Sequence, residues 1–160
     1  MPTDDQLLRE HLIDCLKNAN AHADLFSVLK DFPEDLYSKK PKGAPHSAWQ
    51  LLEHIRIALN DLLVFSTNPD YVAPKWPEDY WPREDAPKNA ATWNASIKAL
   101  KADLSEFEKL IRNPASNLYA KIPWGDGQTL LREVLVAIDH NSYHVGQIVM
   151  LRQQLGAWEG

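Results

Sequence analysis

Two histidines four residues apart, in Asp139-His140-Asn141-Ser142-Tyr143-His144, form the pattern in this chain best suited to chemistry. In a helix, positions i and i+4 lie one turn apart on the same face, so both imidazoles can reach a single ion. Ala137, Ile148 and Leu151 continue that face as an apolar stripe, which points both rings into the protein rather than into water. His54 lies beside a second stripe made by Leu51, Ile55 and Ala58. Three inward histidines from two helices supply three nitrogen ligands and leave further positions for water or substrate. That is the open arrangement of a catalytic metal site, at which a bound water or thiol loses its proton near neutral pH. The same residues also fit a plainer reading, buried histidines held by hydrogen bonds. A pair one turn apart suits it less well, because each ring has a donor and an acceptor to satisfy. Two other metal patterns are absent: Asn141, not glutamate, follows His140, and no Glu-x-x-His recurs on two helices.

Weaker candidates surround these three. Asp61 follows His54 by seven and so lies near the same face, where it would hold a ring nitrogen or make an interhelical hydrogen bond. Gln147 bears the same relation to His140. Gly146 weakens a helix interior, which suggests close approach of a helix or a ligand. His22 falls on an apolar stripe and reads as a core residue, and Cys15 on the same stripe as a small buried hydrophobe. His11 and His46 are not expected to be ligands; His46 precedes a helix cap in a proline-rich loop.

The elements that must position these residues are set out by eleven prolines. Proline inside a helix removes a hydrogen bond and clashes with the preceding turn, at about 3 kcal/mol. Four proline-free windows remain, 3–31, 46–66, 88–112 and 127–155, each with apolar residues at helical spacing. The first carries Leu8, Leu12, Cys15, Ala19, His22, Phe26 and Leu29; the second Leu51, Ile55, Ala58, Leu62 and Phe65. The third carries Trp93, Ile97, Leu100, Leu104, Phe107 and Ile111; the fourth Leu130, Val134, Ala137, Asn141, His144, Ile148, Leu151 and Leu155. Thr3 with Gln6 and Ser47 with Gln50 fit capping boxes, Gly125-Asp126-Gly127 a turn with an N-cap, and Gly156 a helix C-terminus. These features predict an all-α fold, a four-helix bundle in one domain over 1–160, with a long crossover between the second and third helices. That connection holds Tyr71, Trp76, Tyr80 and Trp81 among prolines. It either shapes a substrate pocket over the bundle's open end, or covers the bundle's side or a dimer contact.

Composition narrows the partners. The chain has 160 residues, 44% of them hydrophobic, and a formal net charge of -5. An acidic domain without a basic patch has no footprint for nucleic acid or an anionic membrane. Lys39-Lys40-Pro41-Lys42 reads as a short solvated run. One cysteine, Cys15, excludes an internal disulfide and a cysteine-based zinc ribbon. No apolar run approaches a bilayer span, and Met1-Pro2-Thr3-Asp4-Asp5 is acidic where a secretory leader is basic, so a cytoplasmic protein is expected.

The segments Pro45 to Arg56 (PHSAWQLLEHIR) and Asp139 to Ile148 (DHNSYHVGQI) resemble the DinB-like (YfiT-like) superfamily. Lys75-Trp76-Pro77-Glu78-Asp79-Tyr80-Trp81-Pro82 and the end from Leu151-Arg152 to Leu155-Gly156-Ala157-Trp158 are similar to one branch of it. The resemblance implies a four-helix bundle with a long crossover and a divalent metal, zinc or nickel, on His54, His140 and His144. It also implies a small-molecule substrate and, in some relatives, thiol transfer with a low-molecular-weight thiol (one branch being a thiol-dependent maleylpyruvate isomerase); a homodimer is a separate expectation. Two function classes follow: a metal-dependent thiol transferase or hydrolase acting on a small electrophile, and a noncatalytic stress-related binding or dimerisation module in which the metal ties two helices together. A structural site should be coordinatively closed, and no fourth protein ligand is evident in the sequence.

Overall fold

A computed structural model describes residues 1–18 and 20–158. Its regular structure is five α-helices, α1 (Asp4–Lys17), α2 (Leu25–Leu29), α3 (Ala48–Thr67), α4 (Ala90–Arg112) and α5 (Leu130–Gln154), with two short 3-10 turns at Glu34–Leu36 and Glu78–Tyr80. No strand occurs among the described residues; Lys121 and Thr129 form one isolated antiparallel bridge. The fold is all-α, as the periodicity predicts.

Three of the four windows are single helices, and local chemistry sets their ends. Both capping boxes form: Thr3 accepts from the Gln6 amide and Ser47 from the Gln50 amide, while each glutamine side chain accepts from the cap's own amide. The last helix closes as a Schellman turn. The Gly156 amide bonds Gln153 and the Ala157 amide bonds Arg152, with Gly156 at φ 68, a conformation that favours glycine. The cap of α5 is Thr129, which accepts from Arg132, rather than a residue of Gly125-Asp126-Gly127. That triplet forms the turn before it, and a Cβ on Gly125 would come within 2.8 Å of Phe65.

The first window is not one helix. The chain leaves α1 at Asn18 in extended conformation, and Asp24 then caps α2 by accepting from the amides of Phe26 and Ser27. Neither proline nor glycine marks the break. Asn18, Asn20 and Asp24 offer the backbone side-chain partners that compete with helix bonds, and the stripe of apolar spacing conceals this. Cys15 is exposed because the buried face of α1 runs through Arg9, Leu12, Ile13 and Leu16. After the break His22 lies exposed in the turn with a ring nitrogen 2.8 Å from the Ala23 carbonyl oxygen. Neither is the core residue that the stripe suggests. Ala19, assigned to that stripe, lies outside the described residues.

The four long helices close a ring in the order α1, α4, α3, α5, with α2 packed on α5. Side-chain pairs give their directions. Glu53 pairs with Ser96 and Asn60 with Asp103, so α3 and α4 ascend together. Lys17 meets Glu108 while Arg9 reaches the carbonyls of Ile111 and Asn113, so α1 runs against α4. His54 faces His140 and His144, and Trp124, just before α5, bonds the Phe65 carbonyl, so α5 runs against α3. Because α3 and α4 are parallel, residues 68–89 must return along the bundle. They do so as a strap on α3: Tyr71 bonds Asp61, Trp81 lies on His54, and the Asp85 carbonyl accepts from Ser47. Lys40 pins the strap's far end by pairing with Asp85 at 2.5 Å, so it is not merely solvated.

The core is the interior of this ring. On α4 the stripe Trp93, Leu100, Leu104, Phe107 and Ile111 is buried throughout. Tyr37 stacks on Trp93 with ring centres 4.1 Å apart, tying the chain before α3 to the core. Truncating Phe107, which is fully buried, to alanine is expected to cost about 3–5 kcal/mol through lost burial and a residual cavity. Leu135→Ala, at a half-exposed position, should change stability by no more than about 0.5 kcal/mol. Urea unfolding followed by circular dichroism checks both values.

Candidate metal centre

The antiparallel contact of α3 with α5 brings the three histidines together. One ring nitrogen from each of His54, His140 and His144 lies within 4.8 Å of the others. The closest pair, Nε2 of His54 and Nε2 of His140, is 3.1 Å apart. Two nitrogens each about 2.05 Å from one tetrahedral ion would be about 3.3 Å apart, so the cluster needs little movement to hold a cation. His54 and His144 are 2% and 5% exposed, whereas His140 is only partly buried, so the cluster opens on the His140 side.

The outward nitrogens of two rings are already committed. His54 Nδ1 donates to the Tyr80 carbonyl oxygen at 2.8 Å, and His144 Nδ1 donates to Gln147 Oε1 at 2.7 Å. Each of those oxygens only accepts, so both protons belong on Nδ1 and both Nε2 lone pairs are free to face the cluster. Without a cation, His140 Nε2 is then the donor in its contact with His54. Burial pushes all three imidazoles below their ordinary pKa, and the neighbouring rings reinforce this for His140; His140 and His144 fall to about 4. At neutral pH all three are therefore uncharged donors, the protonation state that a metal requires.

The strap holds the cluster from outside. Trp81 lies flat between two imidazoles, its ring centre 3.8 Å from His54 and 3.7 Å from His46. Asp61 accepts from the hydroxyls of Tyr71 and Tyr80 at 2.7 Å and 2.6 Å. Asp61 therefore touches no histidine; it fixes Tyr80, whose carbonyl fixes His54. Burial raises both tyrosines, with the Asp61 hydrogen bond adding to it, and Tyr71 reaches about 12. Glu133, almost fully buried and bonded to Arg132 at 2.9 Å, stands seven residues before His140, as Asp61 stands seven after His54. On antiparallel helices both carboxylates fall at one level, two turns from the histidines. Its negative charge contributes to the rise at Tyr71.

The three histidines singled out by spacing lie together, while the two roles left open for Asp61 and Gln147 resolve differently. Gln147 serves His144, three residues before it, rather than His140. His46, expected only near a cap, stacks on Trp81. The Tyr80 carbonyl is a backbone atom with no residue-type signal at all. Glu133 had one, its seven-residue offset from His140, and its place on a buried face.

A family model described as the DinB superfamily matches residues 18–148, a span that contains the histidines, the strap and Gln147. No curated protein and no solved structure matches the chain.

The depressed imidazoles make metal-free stability depend on pH. The unfolded chain binds protons with the ordinary histidine pKa of about 6.5, whereas folded His140 and His144 wait until about 4. Stability from this source is complete above about 6.5 and is lost as pH falls toward about 4. The thermal midpoint of chelator-treated protein should therefore drop between pH 7 and pH 5. A variant with His140→Leu and His144→Leu should show a shallower drop over the same range.

Proposed function

The chain belongs to the DinB superfamily, and from that premise we propose that it is a divalent-metal-dependent enzyme. It transfers a thiol to a small electrophilic substrate, or hydrolyses such a substrate, at a centre held by His54, His140 and His144. The observation that carries this reading is three neutral, inward-facing imidazole nitrogens within 4.8 Å of one another, two of them with their second nitrogens already bonded. Zinc or nickel suits such a nitrogen set.

A divalent ion held there supplies Lewis acidity, lowering the pKa of a thiol or water beside it. The residues of the chain do the rest. His54 and His144 are aimed by the Tyr80 carbonyl and by Gln147, so little ordering remains when the site is filled. Trp81 covers the face of His54 and excludes water from that side. His140, the most accessible of the three, leaves the approach for substrate on its side. No carboxylate contacts the three rings among the described residues, so the protein adds no negative charge to the ligand set. A centre of this kind favours an anionic ligand such as a thiolate or hydroxide. Three ligands also leave the coordination unclosed, which supports catalysis over a purely structural role.

Metal analysis of untagged protein should find about one equivalent of zinc or nickel per chain, and His140→Ala with His144→Ala should abolish it. Equal, negligible metal in both proteins would overturn the reading; metal with no thiol-conjugating or hydrolytic activity on electrophile panels would leave the centre and remove the mechanism. Asp61→Asn, which weakens the hold on Tyr71 and Tyr80, should lower metal affinity by about 10- to 100-fold while far-ultraviolet circular dichroism stays unchanged. Competition with a chromophoric chelator measures that loss.

A further inference from the structure

A groove of about 490 Å³ lies between the turn that precedes α3 and the outer face of α5, and the metal centre does not use it. Its floor crosses Gly146. A Cβ at that position would meet nothing within 4 Å, so no neighbour in this chain requires glycine there. Glycine inside a helix is destabilising, and here it does nothing but lower the floor of the groove. On either side stand Tyr143 and Met150, 64% and 56% exposed, too apolar for a face meant for water alone.

Lys42 is the only charged side chain that lines the groove, in a chain of net charge -5. No aspartate or glutamate lines it, and burial pushes the His46 imidazole below its ordinary pKa, so that ring is neutral. Lys42 makes no ion pair among the described residues, whereas nearby Lys40 is paired with Asp85. The groove also reaches the metal centre from behind, because Gln147 both lines it and accepts from His144 Nδ1. Its volume lies in the range of small-molecule sites, which join an apolar wall to a few polar groups.

We propose that this groove binds a small amphipathic carboxylate. Its apolar body lies over Gly146 between Tyr143 and Met150, and its carboxylate meets Lys42 at the end nearest His46. As a ligand site it stands on these observations alone. As the site of the enzyme's substrate it rests on the metal-dependent reading, whose substrate class it would then name.

Calorimetric titration of the zinc-loaded full chain with 4-phenylbutyrate and with its neutral amide tests the proposal. The acid is expected to bind at least about tenfold more tightly than the amide, the advantage of a charge-assisted contact. Lys42→Ala should remove that difference. Gly146→Leu should abolish binding of both probes while zinc content and circular dichroism stay unchanged. Equal affinities for acid and amide, or undiminished binding by Gly146→Leu, would overturn it. So would loss of acid binding on zinc removal, which would place the carboxylate on the metal. Acid binding retained by metal-free protein supports the groove whatever becomes of the enzymatic reading. If neither probe binds and Gly146→Leu converts a sedimenting dimer to monomer, the face belongs to a second copy and the proposal fails.

Discussion

The structure depends most on the burial of three basic rings in an apolar seam with no acidic partner at hand. Desolvation disfavours the imidazolium form, and neighbouring rings add to the cost of protonating His140 and His144. Neutral histidines then need acceptors and donors of their own, because unpaired buried nitrogens are costly. The surrounding architecture answers that need: Gln147 for His144, the Tyr80 carbonyl for His54, and His140 turned toward His54. The long strap on α3 is the larger part of the answer. Parallel α3 and α4 oblige the chain to return along the bundle, and the return path delivers a carbonyl and an indole to the histidines.

How the strap is anchored explains why Asp61 stands one residue away from the cluster. A carboxylate bonded directly to His54 would orient the ring, but it would also favour the protonated imidazole and put negative charge beside the site. A peptide carbonyl orients the ring equally well and adds no charge. Asp61 still contributes rigidity, because two tyrosine hydroxyls hold it and one of them belongs to the residue that supplies the carbonyl. The orienting role and the charge are thereby separated. The cost falls on the tyrosines, whose ionisation is suppressed and which stay available as hydrogen-bond donors.

Much of this was legible in the residues, and the failures have physical causes. The spacing of His140, His144 and their apolar neighbours fixes one helix face, and α5 presents that face as expected because period and burial agree along its length. The stripe on α4 is equally faithful. The first window failed because apolar spacing continues through a segment whose asparagines and Asp24 offer the backbone better bonds than a helix does. Asp61 and Gln147 were placed near the site by spacing, but partner choice depends on rotamer and on chain from elsewhere. A backbone carbonyl from residue 80 has no residue type to betray it. Gly146 shows the same boundary from the other side: its cost in a helix is visible in the sequence, but only the structure excludes a neighbouring helix as its reason.

The open space over Gly146 bears on how the two halves of α5 divide their work. Ala137, His140, Asn141 and His144 face the bundle, and their identities are set by packing and by the histidine cluster. One turn later the helix still buries Val145, Ile148 and Leu151, but its opposite face carries tyrosine, glycine and methionine where a solvated helix would carry charge. Gln147 lies at the boundary, with its side chain in the groove's wall and its oxygen on His144. A molecule that pulled on that amide would turn the imidazole, and a shift of the imidazole would alter the wall of the groove. Such coupling is reciprocal: if occupancy of the groove strengthens the hold on a cation, the cation must strengthen binding in the groove by the same factor.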